Sequence, residues 1–332
     1  MSEKIALEKE ISSSSKSIRN TGRSVERIVI SCVTFDTVKI TDPIIHYDAT
    51  KAYLVHYCNK EPIKKKTFYN ELYDTVLEIL DEHYDMISLK FDVGGCRYEE
   101  SPIGSETVLI DRPSKKLVKE LTVVDVNEVV YDFNVMLKTM FSIMNFERKL
   151  DEDSKNPIYV NISAGSSEFS AAALMASMMF DNVEVFSVHT EEHMVDDLKK
   201  YYDENGRFVG LAKSVKEPMP ITNFTIPRPD KGLILSLKVY FSLGCPSATE
   251  TIRELKNYSY TENGEEVKLW SWDKKELPNE KMIFQRQFID RWVSEGLVDR
   301  ISRGTYELTD HGRFTINTYY VNECVTADKE SL

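Results

Sequence analysis

The stretch Asn161-Ile162-Ser163-Ala164-Gly165-Ser166-Ser167-Glu168, running on into Phe169-Ser170-Ala171-Ala172-Ala173-Leu174-Met175-Ala176-Ser177-Met178-Met179-Phe180, decides how the chain is read. Ile158 to Ser163 is a short apolar run of strand character, and Ser167 to Phe180 has helical composition, so the segment reads as strand, loop and helix. Gly165 permits a positive φ and a close backbone approach. Ser163, Ser166 and Ser167 supply hydroxyls, and the helix start offers free N–H groups at the positive end of its dipole, a combination suited to phosphate. A plain helix cap by Ser166 or Ser167 uses the same residues. The helix is apolar nearly all round, which predicts burial in a core or subunit interface, with Met178 and Met179 as packing residues.

On the N-terminal side, Arg27 to Val33 and Ala52 to Tyr57 are apolar runs predicted as strands buried on both faces. Thr67 to His83 carries Phe68, Leu72, Val76, Leu77 and Leu80 at helical spacing. Met86 to Arg112, with Gly94-Gly95 and Ser101-Pro102-Ile103-Gly104, reads as a strand with a hairpin-like insertion. Leu117 to Val126 is a further strand, and Asn127 is the expected N-cap of an amphipathic helix over Glu128 to Arg148. Val183 to Val188 is the last strand. Strands alternating with helices predict an α/β fold, a Rossmann-like parallel sheet with right-handed crossovers.

In such a sheet ligands gather outside the C-terminal strand ends. Thr34, Phe35, Asp36 and Thr37, which end the first strand, therefore join Asn161, Ser163, Ala164, Gly165, Ser166, Ser167 and Glu168 as candidate ligand contacts, with a plain strand-to-helix turn as the alternative for the first four. His189, Glu191, Glu192 and His193 are consecutive, where a metal needs convergent ligands, so no metal site is expected. No cofactor site and no catalytic residue stand out.

The 332 residues, 42% of them hydrophobic, suffice for two domains with buried cores. Residues 1–24, with four consecutive serines at Ser12 to Ser15, read as a disordered tail without a secretory segment, and no apolar run is long enough to span a membrane. Cys32, Cys58, Cys96, Cys245 and Cys324 are scattered and read as reduced thiols of a cytoplasmic protein. The formal charge of −12 disfavours non-specific attraction to polyphosphate, so any DNA contact must be local.

The Rossmann-like unit is expected over 25–212 and a Pro-rich connection over 213–230, with Pro218, Pro220, Pro227 and Pro229. Residues 231–320 then hold three helices, Leu233 to Leu243, Ser247 to Asn257 and Lys281 to Glu295, and a Gly-turned hairpin through Arg313. That order describes a winged helix-turn-helix domain, followed by a tail over 321–332. Lys281, Gln285, Arg286 and Gln287 are the natural base readers on the third helix, and Arg300, Arg303 and Arg313 the phosphate contacts of the wing. Ile283, Phe284, Phe288, Ile289, Trp292 and Val293 read as core. The long insert from Tyr258 to Glu280 is acidic, and its Trp270 and Trp272 are candidates for packing on a partner subunit.

Two signatures now stand side by side: Asn161-Ile162-Ser163-Ala164-Gly165-Ser166-Ser167 with its Ala/Met-rich helix and a first strand ending in Val33-Thr34-Phe35-Asp36, and Glu295-Gly296-Leu297-Val298 with Tyr306 to Arg313. Together they resemble the archaeal transcriptional regulators that join a CRISPR-associated Rossmann fold (CARF) to a winged helix, over residues 26–315. The resemblance implies a homodimer whose paired CARF domains sense a cyclic oligoadenylate and couple it to binding of double-stranded DNA. Where that family commonly carries Lys or Arg after the Gly-Ser pair, this chain has Ser167-Glu168. Two other functions use the same parts: a ring nuclease that positions cyclic oligoadenylate for attack by its own 2′-hydroxyl, and an adaptor whose winged helix binds another protein.

Overall fold

The structure is a computed structural model that describes residues 25–57, 68–94, 97–99, 119–128, 132–151, 153, 155–193, 202–203, 206–207, 209–222, 224–262, 265–271, 280–302, 304–320 and 326–327. The N-terminal tail over 1–24, Trp272, Arg303 and most of the tail after 320 lie outside the described residues. The first part runs β1 (Ile28–Cys32), α1 (Val38–His46), β2 (Lys51–Tyr57), α2 (Phe68–Asp81), β3 (Tyr84–Asp92), β4 (Arg97–Glu99), β5 (Lys119–Glu128), α3 (Phe133–Leu150), β6 (Ile158–Asn161), α4 (Ser167–Ser177), β7 (Val183–Ser187), β8 (Thr190–His193), β9 (Ala212–Val215) and β10 (Met219–Ile221).

Eight of these strands form one sheet in the order β10-β7-β6-β1-β2-β5-β3-β4. It is parallel except for its two edge strands, β10 and β4. β1 explains why: all five of its residues are buried, as a strand covered on both faces must be. Ile28, Ile30 and Cys32 point to one side, where they meet Met140 and Phe141 of α3 and Phe169 and Ala173 of α4. Val29 points to the other, with Ile40 and Ile44 of α1 and Leu72 and Val76 of α2. Period-two alternation along a strand thus serves two separate layers.

Several elements depart from the sequence reading. α1 was not expected, because Pro43 sits inside it. The expected N-cap at Asn127 is instead part of β5, which pairs with β2 through Glu128. Asp132 caps α3, its carboxylate accepting the Val135 N–H at 2.9 Å. The stretch read as an inter-domain connection supplies β9, which pairs with β8, and β10, whose Met219-Pro220-Ile221 adds to β7 as an antiparallel edge. An edge strand tolerates the missing N–H of Pro220.

The C-terminal part continues with α5 (Lys231–Ser242), α6 (Ala248–Leu255), the hairpin β11 (Tyr258–Glu262) and β12 (Glu265–Lys268), a helix α7 over 280–294, the hairpin β13 (Val298–Ser302) and β14 (Thr305–Leu308), α8 (Asp310–Thr318) and β15 (Thr326–Ala327). The expected tail therefore contains a short strand, which pairs with β11. Phe284, Phe288, Ile289 and Trp292 of α7 are buried as expected, whereas Val293 is 41% exposed. Trp270, a candidate for a partner contact, packs inside the chain instead: it is 3% exposed, meets Phe284 and Phe288, and donates its indole N–H to Glu280 at 3.1 Å. The C-terminal core is continuous with the α3–α4 face of the sheet, with Tyr319 against Phe141 at 4.9 Å. Among the described residues no helix is long and apolar enough to cross a membrane.

At the N-terminal end of β2 the sheet encloses a charge. Lys51 Nζ lies 3.1 Å from Glu147 Oε1, and that same oxygen accepts from the Tyr98 hydroxyl at 3.1 Å and from the Tyr53 hydroxyl. Burial works to lower the Lys51 pKa, but the Glu147 carboxylate beside it prevails and holds the ammonium charged, above its ordinary range. Removing one member of a buried pair strands the other. Glu147→Ala is expected to cost about 3–5 kcal/mol in urea unfolding. Glu26→Ala, which removes the exposed partner of the same lysine, is expected to cost under about 1 kcal/mol.

Candidate ligand-binding site

The chain reaches β5 on one side of β1 and crosses to β6 on the other, so β1 and β6 flank the point where strand order reverses. Their C-terminal loops leave to opposite faces, the β1 loop into α1 and the β6 loop into α4, which opens the crevice where α/β sheets take ligands.

Asn161 is the weld between the two loops. Pro43 has no N–H, so the Lys39 carbonyl four residues earlier has no helical partner. The fully buried Asn161 amide donates to that carbonyl at 2.7 Å, and its oxygen accepts the Ser163 N–H at 3.0 Å. Asn161 therefore holds the loop, with its side chain fully buried. Ser163 Oγ accepts the Val188 N–H at 2.5 Å, and Ala164 is 1% exposed. Gly165 has φ +109°, and a Cβ there would lie 2.7 Å from Cys32 Cβ, so the loop rides directly on the end of β1.

What the β6 loop presents outward is Gly165, Ser166, Ser167 and Glu168. Ser166 caps α4, accepting the Phe169 N–H at 3.2 Å. The Ser167 hydroxyl donates to Glu168 at 3.1 Å. Glu168's own N–H and the Ser166 and Ser167 hydroxyls hold the Glu168 carboxyl below its ordinary range, so it is an anion at neutral pH.

On the β1 side the four candidate residues divide. Thr34 is half-buried, and Phe35 is 50% exposed. Asp36 and Thr37 are used internally: Asp36 Oδ1 accepts the N–H groups of Leu211 and Ala212 at 2.8 and 3.1 Å, and the Thr37 hydroxyl donates to the Val209 carbonyl at 3.2 Å. Burial pushes the Asp36 pKa up, but Lys39, 2.8 Å away, and those two N–H groups bring it below its ordinary range. Gly210 completes the clamp, since a Cβ there would lie 2.0 Å from the Phe35 carbonyl. Lys39 brings a cation to the crevice that sequence reasoning missed; its place three residues after Asp36, on a helix, is the signal that points to it.

A second polar group lies at the same sheet end. His56 Nε2 is 2.6 Å from Asp125 Oδ1, and Asn127 donates to the other Asp125 oxygen at 2.6 Å. The imidazole stacks on Tyr73 at 4.4 Å, and its Nδ1 is enclosed without a hydrogen-bond partner. No motif marks this group, because its members come from separate strands and become neighbours only through the β2–β5 register.

Glu191 and Glu192, considered as metal ligands, face Ser214 and Lys213 across the β8–β9 ribbon. Two clefts of about 250 and 360 Å³ open elsewhere, one between α1 and the β9–β10 turn and one beyond the end of α4. In the C-terminal part, Lys281, Gln285, Arg286 and Gln287 all lie exposed on α7, the last three in a π-turn over Gln285–Ile289. Arg300 is exposed on β13. Arg313 lies on α8 and not on the hairpin, because Thr309 caps a new helix there, accepting the Gly312 N–H at 2.9 Å.

No protein-family profile matches the chain, and no curated protein does. Among solved structures it is similar to Csm6 from Enterococcus italicus bound to cyclic hexa-2'-fluoro-hexa-dAMP, at 8% identity and a TM-score of 0.33 over 50% of this chain and 34% of that one. It is also similar to Can2 from Sulfobacillus thermosulfidooxidans in complex with cyclic tetra-adenylate, at 9% identity and a TM-score of 0.30 over 90% of this chain and 64% of that one. A third is protein VC1899 from Vibrio cholerae, at 9% identity and a TM-score of 0.27 over 89% of this chain and 64% of that one. The chain thus spans from 34% to 64% of the length of these proteins. Similarity at this level transfers neither a ligand nor a residue role.

The weld gives a direct test. Asn161→Ala leaves a buried carbonyl unpaired and is expected to cost about 1–3 kcal/mol in denaturant unfolding. In a Pro43→Ala background the restored N–H can take the Lys39 carbonyl, so the cost of Asn161→Ala is expected to shrink; equal costs in both backgrounds would contradict the weld.

Proposed function

We propose that this chain is a nucleotide-responsive regulator of CARF type. In this reading the β1 and β6 loops form half of an anion crevice completed by a second copy of the chain, for a cyclic oligoadenylate or a related anionic nucleotide. The C-terminal part is then a winged helix that binds double-stranded DNA. The observation that carries the reading is the pair of braced loops at the strand-order reversal, with Gly165 and Ser167 exposed at the capped start of α4. The resemblance of both loop sequences to the CARF family supports the same ligand class.

Glu168 bears on the affinity. A carboxylate in the first turn suits the helix dipole but opposes a phosphate, and Lys39 is already paired with Asp36. Neutralising it with Glu168→Gln is therefore expected to tighten cyclic tetra-adenylate about 2- to 5-fold in calorimetry. Weaker binding would place the phosphates elsewhere.

For the DNA half, residues 231–332 hold 14 basic and 16 acidic side chains, so contact must come from a local row, for which Lys281, Arg286, Gln287 and Arg300 are exposed. A ligand that binds one arrangement of the dimer more tightly shifts the population toward it. Duplex affinity measured with and without cyclic tetra-adenylate over a salt series tests this. Arg300→Ala, at a wing position read as a phosphate contact, is expected to weaken binding and to lower the salt slope by about 0.9. Identical affinities with and without the nucleotide would reject the sensor.

A second reading, cleavage of the same nucleotide by attack of a 2′-hydroxyl on its own 3′-phosphate, would draw on positioning by the loops, because His56 is 4% exposed, with its Nε2 held by Asp125 and its Nδ1 enclosed. Linear products formed by the purified chain would support this reading, and intact cyclic nucleotide would reject it.

A further inference from the structure

We infer that Gln285 reads an adenine and that Asp290 is its positioning residue; this rests on the DNA-binding reading above. The two residues bracket the π-turn inside α7, and two hydrogen bonds join them. The Asp290 N–H donates to the Gln285 carbonyl, and the Gln285 side-chain N–H donates to Asp290 Oδ1 at 2.7 Å. At about 3.6 residues per turn, residues five apart in an α-helix are separated by about 1.4 turns and point to different sides. The i→i+5 ring of a π-turn brings them round to one side, so the side-chain bond depends on the turn. Such turns are frequent at functional sites.

The helix around this turn has two faces. Phe284, Phe288, Ile289 and Trp292 are buried, while Gln285, Arg286 and Asp290 are exposed. A carboxylate on a face turned to DNA opposes phosphate, so Asp290 weakens binding there unless it acts through another group. It acts through Gln285. A carboxylate only accepts, so the amide must turn its nitrogen toward Asp290, which settles how the side chain is oriented. One N–H is used in that bond; the other N–H and the amide oxygen remain, a donor and an acceptor on one plane. Adenine matches them in the major groove, where its N7 accepts and its N6 amino group donates. Guanine offers two acceptors there, N7 and O6, and leaves the Gln285 oxygen without a donor. Holding a long side chain before binding also lowers the entropy cost of the contact.

Selection of duplexes from a random-sequence pool by the full chain, then titration of the selected duplex and its single base-pair variants, tests the assignment. The native chain is expected to select a site with a fixed A·T pair and to discriminate against G·C there about 5- to 150-fold, the range for one bidentate contact. Gln285→Ala is expected to abolish the preference at that pair alone and to leave affinity for unselected duplex within about twofold, since the amide meets no phosphate. Gln285→Lys, which keeps a long stem, should move the preference to G·C. Asp290→Ala should narrow the preference, and Asp290→Asn, which keeps an acceptor oxygen, should restore it. A preference indifferent to Asp290→Ala overturns the positioning role. A native chain that binds duplex without a fixed A·T pair, or whose A·T preference survives both Gln285 substitutions, overturns the adenine assignment while the DNA reading stands. A native chain that retains no duplex overturns both.

Discussion

One buried amide sets the geometry of the crevice. Pro43 removes a helical hydrogen bond inside α1, and Asn161, at the end of a different strand, replaces it. The unpaired carbonyl would otherwise carry a desolvation cost of about 1–3 kcal/mol. Satisfying it fixes the β6 loop against the start of α1, and Gly165 allows that loop to pass over Cys32 with almost no clearance. The two loops that diverge to opposite faces of the sheet are thereby held as one unit, and the residues they turn outward are few.

This explains which parts of the fold and site were legible in the sequence. The strands were, because burial on both faces demands continuous Val/Ile/Leu runs, and those runs need no partner to be recognised. The strand-loop-helix at Asn161 to Phe180 was legible for the same reason. α1 was not, because a helix broken by Pro43 depends on an amide donor 122 residues away. The roles of Asn161, Asp36 and Thr37 were hidden likewise: a polar residue at a strand end looks the same whether it meets a ligand or the segment 209–212. Residues 213–221 read as a connection because strands of three and four residues carry too little periodicity to be recognised. His56 and Asp125 could not be paired without the sheet register. Arg313 was misplaced because the Thr309 cap that starts α8 directly follows the hairpin.

Polar groups at the crevice are largely spent on bracing, which bears on how a ligand is recognised there. Asp36 answers Lys39 and two backbone N–H groups, Ser163 answers Val188, and Glu168 occupies the hydroxyls of its own loop. An anion arriving at this site must compete with Glu168 for Ser167 and meets a cation already paired. In the proposed reading, affinity would then fall more heavily on apolar contact and on a second copy of the chain than on charge alone.

The route from the crevice to the C-terminal part is likewise rigid. α4 begins at the loop and, at 1.5 Å per residue, carries about 16 Å of helix away from it. Just beyond its end, Arg228 donates to the Met179 carbonyl at 2.8 Å, stacks over Phe180 at 3.7 Å and reaches Asn145 of α3 at 3.2 Å. Asn145 in turn donates to the Tyr319 carbonyl, and Tyr319 packs on Phe141. The Pro-rich segment is therefore strapped to the sheet layer and does not act as a free tether. A close-packed core resists gradual deformation. In the proposed reading, a ligand-dependent change would accordingly move α4 and its clamp between discrete packings, carrying α8 with them, or reorient two whole copies of the chain.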